Sequence, residues 1–560
     1  MTEAVASGVA PAATVRPARR SRGPGRPLWS AAVLVLAAAV AAPVVTVVVE
    51  ATRAGVPDWP AGLVRMVVTT VLLMGGVALG TLVLGTGLAW LVTAHTFPGR
   101  DVWVWLLVLP LAMPAYILGF VFLSTFDAAG DVQVWLRDIL PWFEVSVRGL
   151  GGCIVVMSLS LYPYVYLMAR AAFTEQAAGT YDAARVLGAG RRRALRRVLL
   201  PLARPSLAAG LALVMMEVLT DFATVQYFGV RTVSLGVYTV WRTNYDFATA
   251  VQLSALVLMF AVAVLAAERL LRGRARFTQH GRGNGLVREP LRGLKGVLAT
   301  LACVAALAVG VVVPLLQLAW WAVSTLRREG WASVDPRFGE YLINSLMVAL
   351  LAALACVAFA VVVSHAQRMG GGSLVRTGAQ VTTFGYAVPG AVVGIGVLLL
   401  LTQLDSGLRA LGVSGGTGLL ATGSIPAILY AYAVRFVGPA YQAVDASFAK
   451  LPASVTQSAM VLGCSPRQVL TRVHLPLVRP GLAVALVLVA VDAVKELPLV
   501  LMLRPFGFTT VSVWVYELAS ENLWRLAALP ALVIVGLATV PVALLFRQVR
   551  AEDRARRGEG

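Results

Sequence analysis

Long apolar runs alternate with short polar stretches along nearly the whole chain. The first runs from Leu28 to Val49, and others cover about 64–94, 102–124, 150–171, 206–228 and 248–268. After a basic linker over 269–295, six more fall near 296–322, 341–365, 377–402, 422–444, 481–503 and 523–546. About 20 apolar residues make a helix long enough to cross a bilayer. The pattern therefore predicts an all-α polytopic membrane protein of about twelve transmembrane helices. A cleaved signal peptide competes for 28–49, but the run is longer than a signal's apolar core and many spans follow it.

Two polar segments interrupt the apolar pattern and answer each other. DAARVLGAGRRRALRRVLLP runs from Asp182 to Pro201 and QSAMVLGCSPRQVLTRVHLP from Gln457 to Pro476. Ala184 matches Ala459, Leu187 matches Leu462, Gly188 matches Gly463, Val198 matches Val473 and Pro201 matches Pro476, each pair 275 residues apart. Each copy reads as a helix, a glycine break and a second short helix that stops at proline. Ser465 and Pro466 are an N-cap residue and a first-turn proline, so the second helix starts there. Its apolar positions Leu470, Val473 and Leu477 correspond to Leu195, Val198 and Leu202.

The same spacing relates Pro114 to Pro389, Gly119 to Gly394 and Phe173 to Phe448. The chain is thus read as two duplicated six-helix repeats, 28–268 with a core at about 64–268, and 296–547 with a core at about 341–546. They are flanked by basic tails at 1–27, expected to be disordered, and at 548–560. Six is even, so the repeats run parallel through the membrane and a path would lie between them. The proline and glycine clusters at 110–119 and 385–396 are candidate kinks along that path; ordinary close packing through small residues is the competing reading.

Charge sets the orientation. The 560 residues carry a formal net charge of +20, but only 13% are charged and 59% are hydrophobic. The arginines lie in short loops between apolar runs and form no folded basic surface, which excludes a nucleic-acid partner. Arginine and lysine enrichment places both glycine loops, the linker and both termini on the cytoplasmic side. Cys153, Cys303, Cys356 and Cys464 are far apart and form no disulfide or zinc framework. His95, His280, His365 and His474 do not cluster, so no metal site is expected. None of the three lysines, Lys295, Lys450 and Lys495, follows a glycine, so the chain lacks a P-loop and no cofactor of its own is expected.

After each glycine loop comes a span carrying acids. Glu217 and Asp221 stand in the first, and Asp492, Lys495 and Glu496 in the second, pairing Glu217 with Asp492 and Asp221 with Glu496 at the 275 spacing. Four residues apart, each acid pair is expected on one helix face. Charges inside a bilayer usually face a bundle interior or a watery cavity, so these residues, with Pro114 and Pro389, are candidates for lining a translocation path. A clasp between helices neutralised by Lys495 is the alternative, and one set can do both.

The glycine loops resemble the cytoplasmic loop of permease subunits of bacterial ABC importers. Asp182, Ala183, Ala184, Gly188, Val198, Leu200 and Pro201 fall on that motif, with Asp in place of Glu. Gln457, Ser458, Ala459, Gly463, Val473, Leu475 and Pro476 match it more loosely. DFATVQYFGV, KELPLVLMLRPFGF and VYELASENLW sharpen the likeness to the fused two-domain permeases of ferric iron importers. That resemblance implies a type I ABC permease fold, alternating access, an ATPase subunit, itself a dimer, docked on both loops and holding the ATP, and a periplasmic or lipid-anchored substrate-binding protein outside. Permeases for thiamine, polyamines, sulfate and phosphonates share the architecture and stay open as alternatives. An ion-coupled secondary transporter would explain the membrane acids but leaves the duplicated loops without a purpose.

Overall fold

In the computed structural model, residues 26–557 are described apart from 55–58, 129, 140–145, 177–180, 182–183, 245, 273–287, 370 and 414–422. Asp182 and Ala183 lie outside the described residues, as do most of the N-terminal tail and the centre of the linker. A chain this apolar folds as helices, because a helix satisfies its backbone polar groups internally. The first half contributes α1 (Arg26–Arg53), α2 (Leu63–Ala94), α3 (Ala115–Phe126), α4 (Leu150–Ala171), α5 (Leu200–Thr220) and α6 (Phe247–Arg272). The second contributes α7 (Leu294–Ser333), α8 (Phe338–Arg368), α9 (Gly390–Ala410), α10 (Ile425–Ala449), α11 (Leu475–Val494) and α12 (Trp524–Arg557). Among the described residues nine helices are long and apolar enough to cross a membrane, ten if a bent pair ending in α3 counts as one; α10 and α12 occupy the two remaining places.

Duplication is written into the helix boundaries. Leu63 and Phe338, Ala115 and Gly390, Leu150 and Ile425, and Leu200 and Leu475 each begin a helix, and each pair lies 275 residues apart. Side-chain tethers repeat as well. Thr70 Oγ1 accepts from Val233 N at 3.0 Å, and Ser345 Oγ, its counterpart, accepts from Val511 N at 2.8 Å. The first helix of each half packs across onto the other: α1 lies against α8 and α9, and α7 against α3. Tyr430 donates to Ala39 O at 2.6 Å and Gln403 to Glu50 at 2.8 Å across the α1 contact.

Four expected spans are not single helices. Arg100–Ala112 meets α3 at 89°, and Ser373–Phe384 is separated from α9 by a tight turn. The cause is the same in both halves: Pro114 (φ −56°, ψ 139°) and Pro389 (φ −56°, ψ 140°) lack the N–H a continuing helix needs and stand as N-caps of the next one. The span expected at 206–228 breaks at Asp221, and that at 481–503 breaks after Val494, with short helices Phe222–Tyr227 and Pro498–Leu503 following. The acid pairs 217/221 and 492/496 therefore do not share one continuous helix face.

Glycine lets α2 and α4 approach closely. A Cβ on Gly85 would stand 2.8 Å from Val165 Cβ and 2.9 Å from the Tyr166 backbone nitrogen, and one on Gly80 would stand 2.3 Å from Ser158 Oγ. Backbone cannot step aside cheaply, so Gly85→Ala is expected to cost about 1–3 kcal/mol by overpacking. A lowered melting temperature of the purified chain, with unchanged values for Gly75→Ala, where a Cβ meets nothing, checks this.

Candidate functional site

Between the halves lies a cavity of about 110 Å³. Glu217, Asp221, Asp492, Lys495, Glu496 and Pro114 all line it. Pro389 is not among the lining residues, but it sets the turn that brings Gly390 against the cavity wall. A Cβ on Gly390 would meet Arg435 Nη1 at 3.0 Å and Glu496 Oε1 at 3.1 Å, so a larger residue there would crowd that pair.

The helix breaks are what present the acids. At its break Asp221 becomes the N-cap of Phe222–Tyr227, its carboxylate accepting from Thr224 N at 2.9 Å and from Thr224 Oγ1 at 2.5 Å. At the second break the N-cap of Pro498–Leu503 is Leu497, and Glu496 just before it accepts from Leu499 N at 3.4 Å. An acid at a helix N-terminus satisfies free N–H groups and the helix dipole together, which lets a carboxylate stay at membrane depth. Lys495 Nζ pairs with Asp492 at 2.7 Å, and Arg435 Nε with Glu496 at 3.4 Å, the latter pair buried. Lys495 pairs within its own segment, three residues from Asp492, so it does not clasp two helices; the pair that does is Arg435 with Glu496, and both of its residues also line the cavity.

Sequence reading missed Arg435, Tyr116, Tyr164 and Tyr386, all of which line the cavity. Arg435 left a signal: it is a lone arginine inside an apolar run, and intramembrane charge marks function by default. The tyrosines left none, since a tyrosine in a span reads as apolar. Tyr164 and Tyr386, one from each half, lie close together in the cavity wall.

The glycine loops are built alike. Gly188 has φ +86° and Gly463 has φ +85°, the left-handed conformation that favours glycine. In the first loop Gly188 N donates to Arg185 O and Ala189 N to Ala184 O; in the second Gly463 N donates to Met460 O and Cys464 N to Ala459 O. That is a Schellman cap in each copy, so the matched alanines are the carbonyls that close it. Ser465 and Gln468 form a capping box at the next helix start, as the Ser-Pro pair predicted. Gln457 belongs to the helix Ala453–Val461 ahead of the second break.

The following helix does not stop at proline in either copy. Pro201 and Pro476 sit in the first turn of α5 and α11, directly behind widened π turns at Leu195–Leu199 and Val469–His474. Pro314 in α7 also follows such a turn, Ala308–Val312. A wide turn already frees the carbonyl that proline cannot bond, so the helix continues. It also shifts the buried face: Ala194, Leu199 and Ala203, and their counterparts Val469, His474 and Val478, are buried, whereas Val198 and Val473 are half-buried and Leu477 is exposed.

Beneath the loops the halves differ. Trp90 packs edge-on against Phe173 and Tyr181 in the first. The same positions in the second are His365, Phe448 and Thr456, where His365 Nδ1 lies 3.1 Å from His474 Nδ1 and His474 Nε2 lies 3.0 Å from Thr456 Oγ1. These two histidines, far apart in sequence, meet in the fold. At the tips, Leu187 is 87% exposed and Leu462 is 83% exposed, with Val186 and Val461 beside them equally bare.

Residues 76–273 and 357–551 each match the family of binding-protein-dependent transport system inner membrane components. The chain belongs to that family, the permease subunits of ABC importers, and is a multi-pass inner-membrane protein. It is similar to the Fe(3+)-transport system permease protein FbpB 2 of Haemophilus influenzae, 24% identical over 93% of this chain and 98% of that protein. The molybdenum transport system permease protein ModB of Escherichia coli is 28% identical over 39% of this chain and 94% of its own length. The sulfate transport system permease protein CysT of Salmonella typhimurium is 28% identical over 34% of this chain and 70% of its own. The iron relative spans both halves, whereas these molybdenum and sulfate relatives match the length of about one.

Proposed function

We propose that this chain is the membrane path of an ATP-driven importer of ferric iron. Its cargo arrives from a substrate-binding protein on the outer face. An ATPase dimer docked on the loops around Gly188 and Gly463 switches the halves between inward-open and outward-open, with both termini cytoplasmic. The chain binds no cofactor itself, and ATP sits on the partner. The observation that carries the cargo is the charge of the cavity: four carboxylates against one arginine and one lysine. A net negative, oxygen-rich wall suits a hard cation and disfavours molybdate or sulfate. Similarity to an iron permease over nearly the whole chain supports the same reading.

Uptake in vesicles holding this chain, its ATPase and its binding protein tests driver and cargo together. Ferric iron is expected to accumulate only with ATP and the ATPase present, and molybdate, sulfate, thiamine and putrescine are not. Accumulation of another substrate discards iron and keeps the importer. Gradient-driven uptake without ATP contradicts the ATP-driven mechanism.

A further inference from the structure

The two halves bring the same acids to the cavity but not the same charge. Eight pairs of positions 275 residues apart line it, and four of them hold the acids, the cations and their counterparts: Ser160 and Arg435, Glu217 and Asp492, Thr220 and Lys495, Asp221 and Glu496. In the second half each carboxylate has its own cation, Lys495 on Asp492 and Arg435 on Glu496. In the first half the places of those cations hold hydroxyls already committed to backbone: Ser160 donates to Met113 O at 3.0 Å and Thr220 to Met216 O at 2.9 Å. Among the described residues no arginine or lysine lies within ion-pair distance of Glu217 or Asp221. Lys495 and Arg435 reach Glu217 only through the longer-range field.

A third group from the first half points into the same space. Tyr116 lines the cavity, is only 5% exposed, and its hydroxyl has no hydrogen-bond partner among the described residues. A buried hydroxyl left unmatched is costly and calls for a partner. It lies near Asp221 and also near Glu496 across the cavity.

We propose that Glu217, Asp221 and the Tyr116 hydroxyl form a one-sided subsite for a hard cation that keeps part of its water, while Arg435 and Lys495 act as built-in counter-ions of the second half. This rests on the cation-import reading and names where the cargo pauses. All three ligands are hard oxygens. Among the described residues no three His, Cys, Asp or Glu side chains converge on one point, so the site holds its ion weakly. Weak holding is what passage requires, since an ion must leave as readily as it enters.

Terbium(III), a redox-inert hard cation, is the probe, titrated by luminescence into the purified full-length chain and read as the component competed by gallium(III). The wild-type chain is expected to bind. Glu217→Gln and Asp221→Asn each weaken binding about tenfold, and Tyr116→Phe, which removes one oxygen and disturbs folding least, by about threefold. Lys495→Thr, which installs the first half's residue, frees Asp492 and tightens binding about tenfold. Unchanged affinity in Tyr116→Phe together with no gain in Lys495→Thr overturns the one-sided site. No binding to the wild-type chain while ATP-driven iron uptake proceeds overturns the subsite and leaves the importer. Absence of both removes the cation reading and the subsite with it.

Discussion

Leu187→Glu combined with Leu462→Glu is expected to reduce ATP-driven uptake to background and to leave the ATPase behind on purification, while the chain melts as before. The two leucines stand at the tips of matched loops and are almost wholly exposed. Neither supports the fold, so replacing them costs the chain little. Covering a leucine contributes about 2 kcal/mol, which is about thirtyfold in affinity, and a buried glutamate adds a desolvation penalty. Losing both knobs therefore weakens docking by about a thousandfold or more. The backbone beneath does not move, because each loop is closed by its own Schellman cap on Gly188 or Gly463. Retained copurification with normal uptake would show that the partner docks elsewhere. If Leu462→Glu alone does far less than Leu187→Glu, the looser second motif is also the weaker docking site.

Repetition was the most legible feature of the chain. A single spacing, seen in a handful of loop residues and in Pro114 and Pro389, reappears at the starts of four pairs of helices. Apolar length found the spans but not their breaks, because a run of apolar residues reads the same whether it is one helix or two. The break at Asp221 carried a faint sign, an acid three residues before Thr224, and that at Glu496 a clearer one, an acid two residues before Pro498. The buried face behind each glycine loop was not legible for a geometric reason: a π turn places buried residues five apart at Ala194 and Leu199, and at Val469 and His474, where helical spacing looks three or four away. Contacts between distant segments, such as His365 with His474 or Tyr164 with Tyr386, had no sequence signature at all.

Arg435→Leu is expected to destabilise the chain by about 3 kcal/mol, read as a fall in melting temperature. The guanidinium and the Glu496 carboxylate are both buried, so deleting one partner strands a charge that water reaches poorly. Arg435 Nη1 also approaches Val388 O at 3.5 Å, the carbonyl one residue before the Pro389 break, as Ser160 holds Met113 O before Pro114. One residue thus ties three elements at the cavity: α10, the turn into α9 and the break after α11. Replacing both partners, Arg435→Leu with Glu496→Leu, removes the stranded charge and is expected to recover most of the stability, the signature of a coupled pair in a double-mutant cycle. Ser160→Ala, which loses only a neutral hydrogen bond, costs about 1 kcal/mol. Lys495→Thr breaks a pair that is about one-quarter exposed and costs less than about 1 kcal/mol. Equal losses for Arg435→Leu and Lys495→Thr would mean that water reaches both pairs alike, and the second half's counter-ions would then be surface charges in a wet channel instead of parts of its wall.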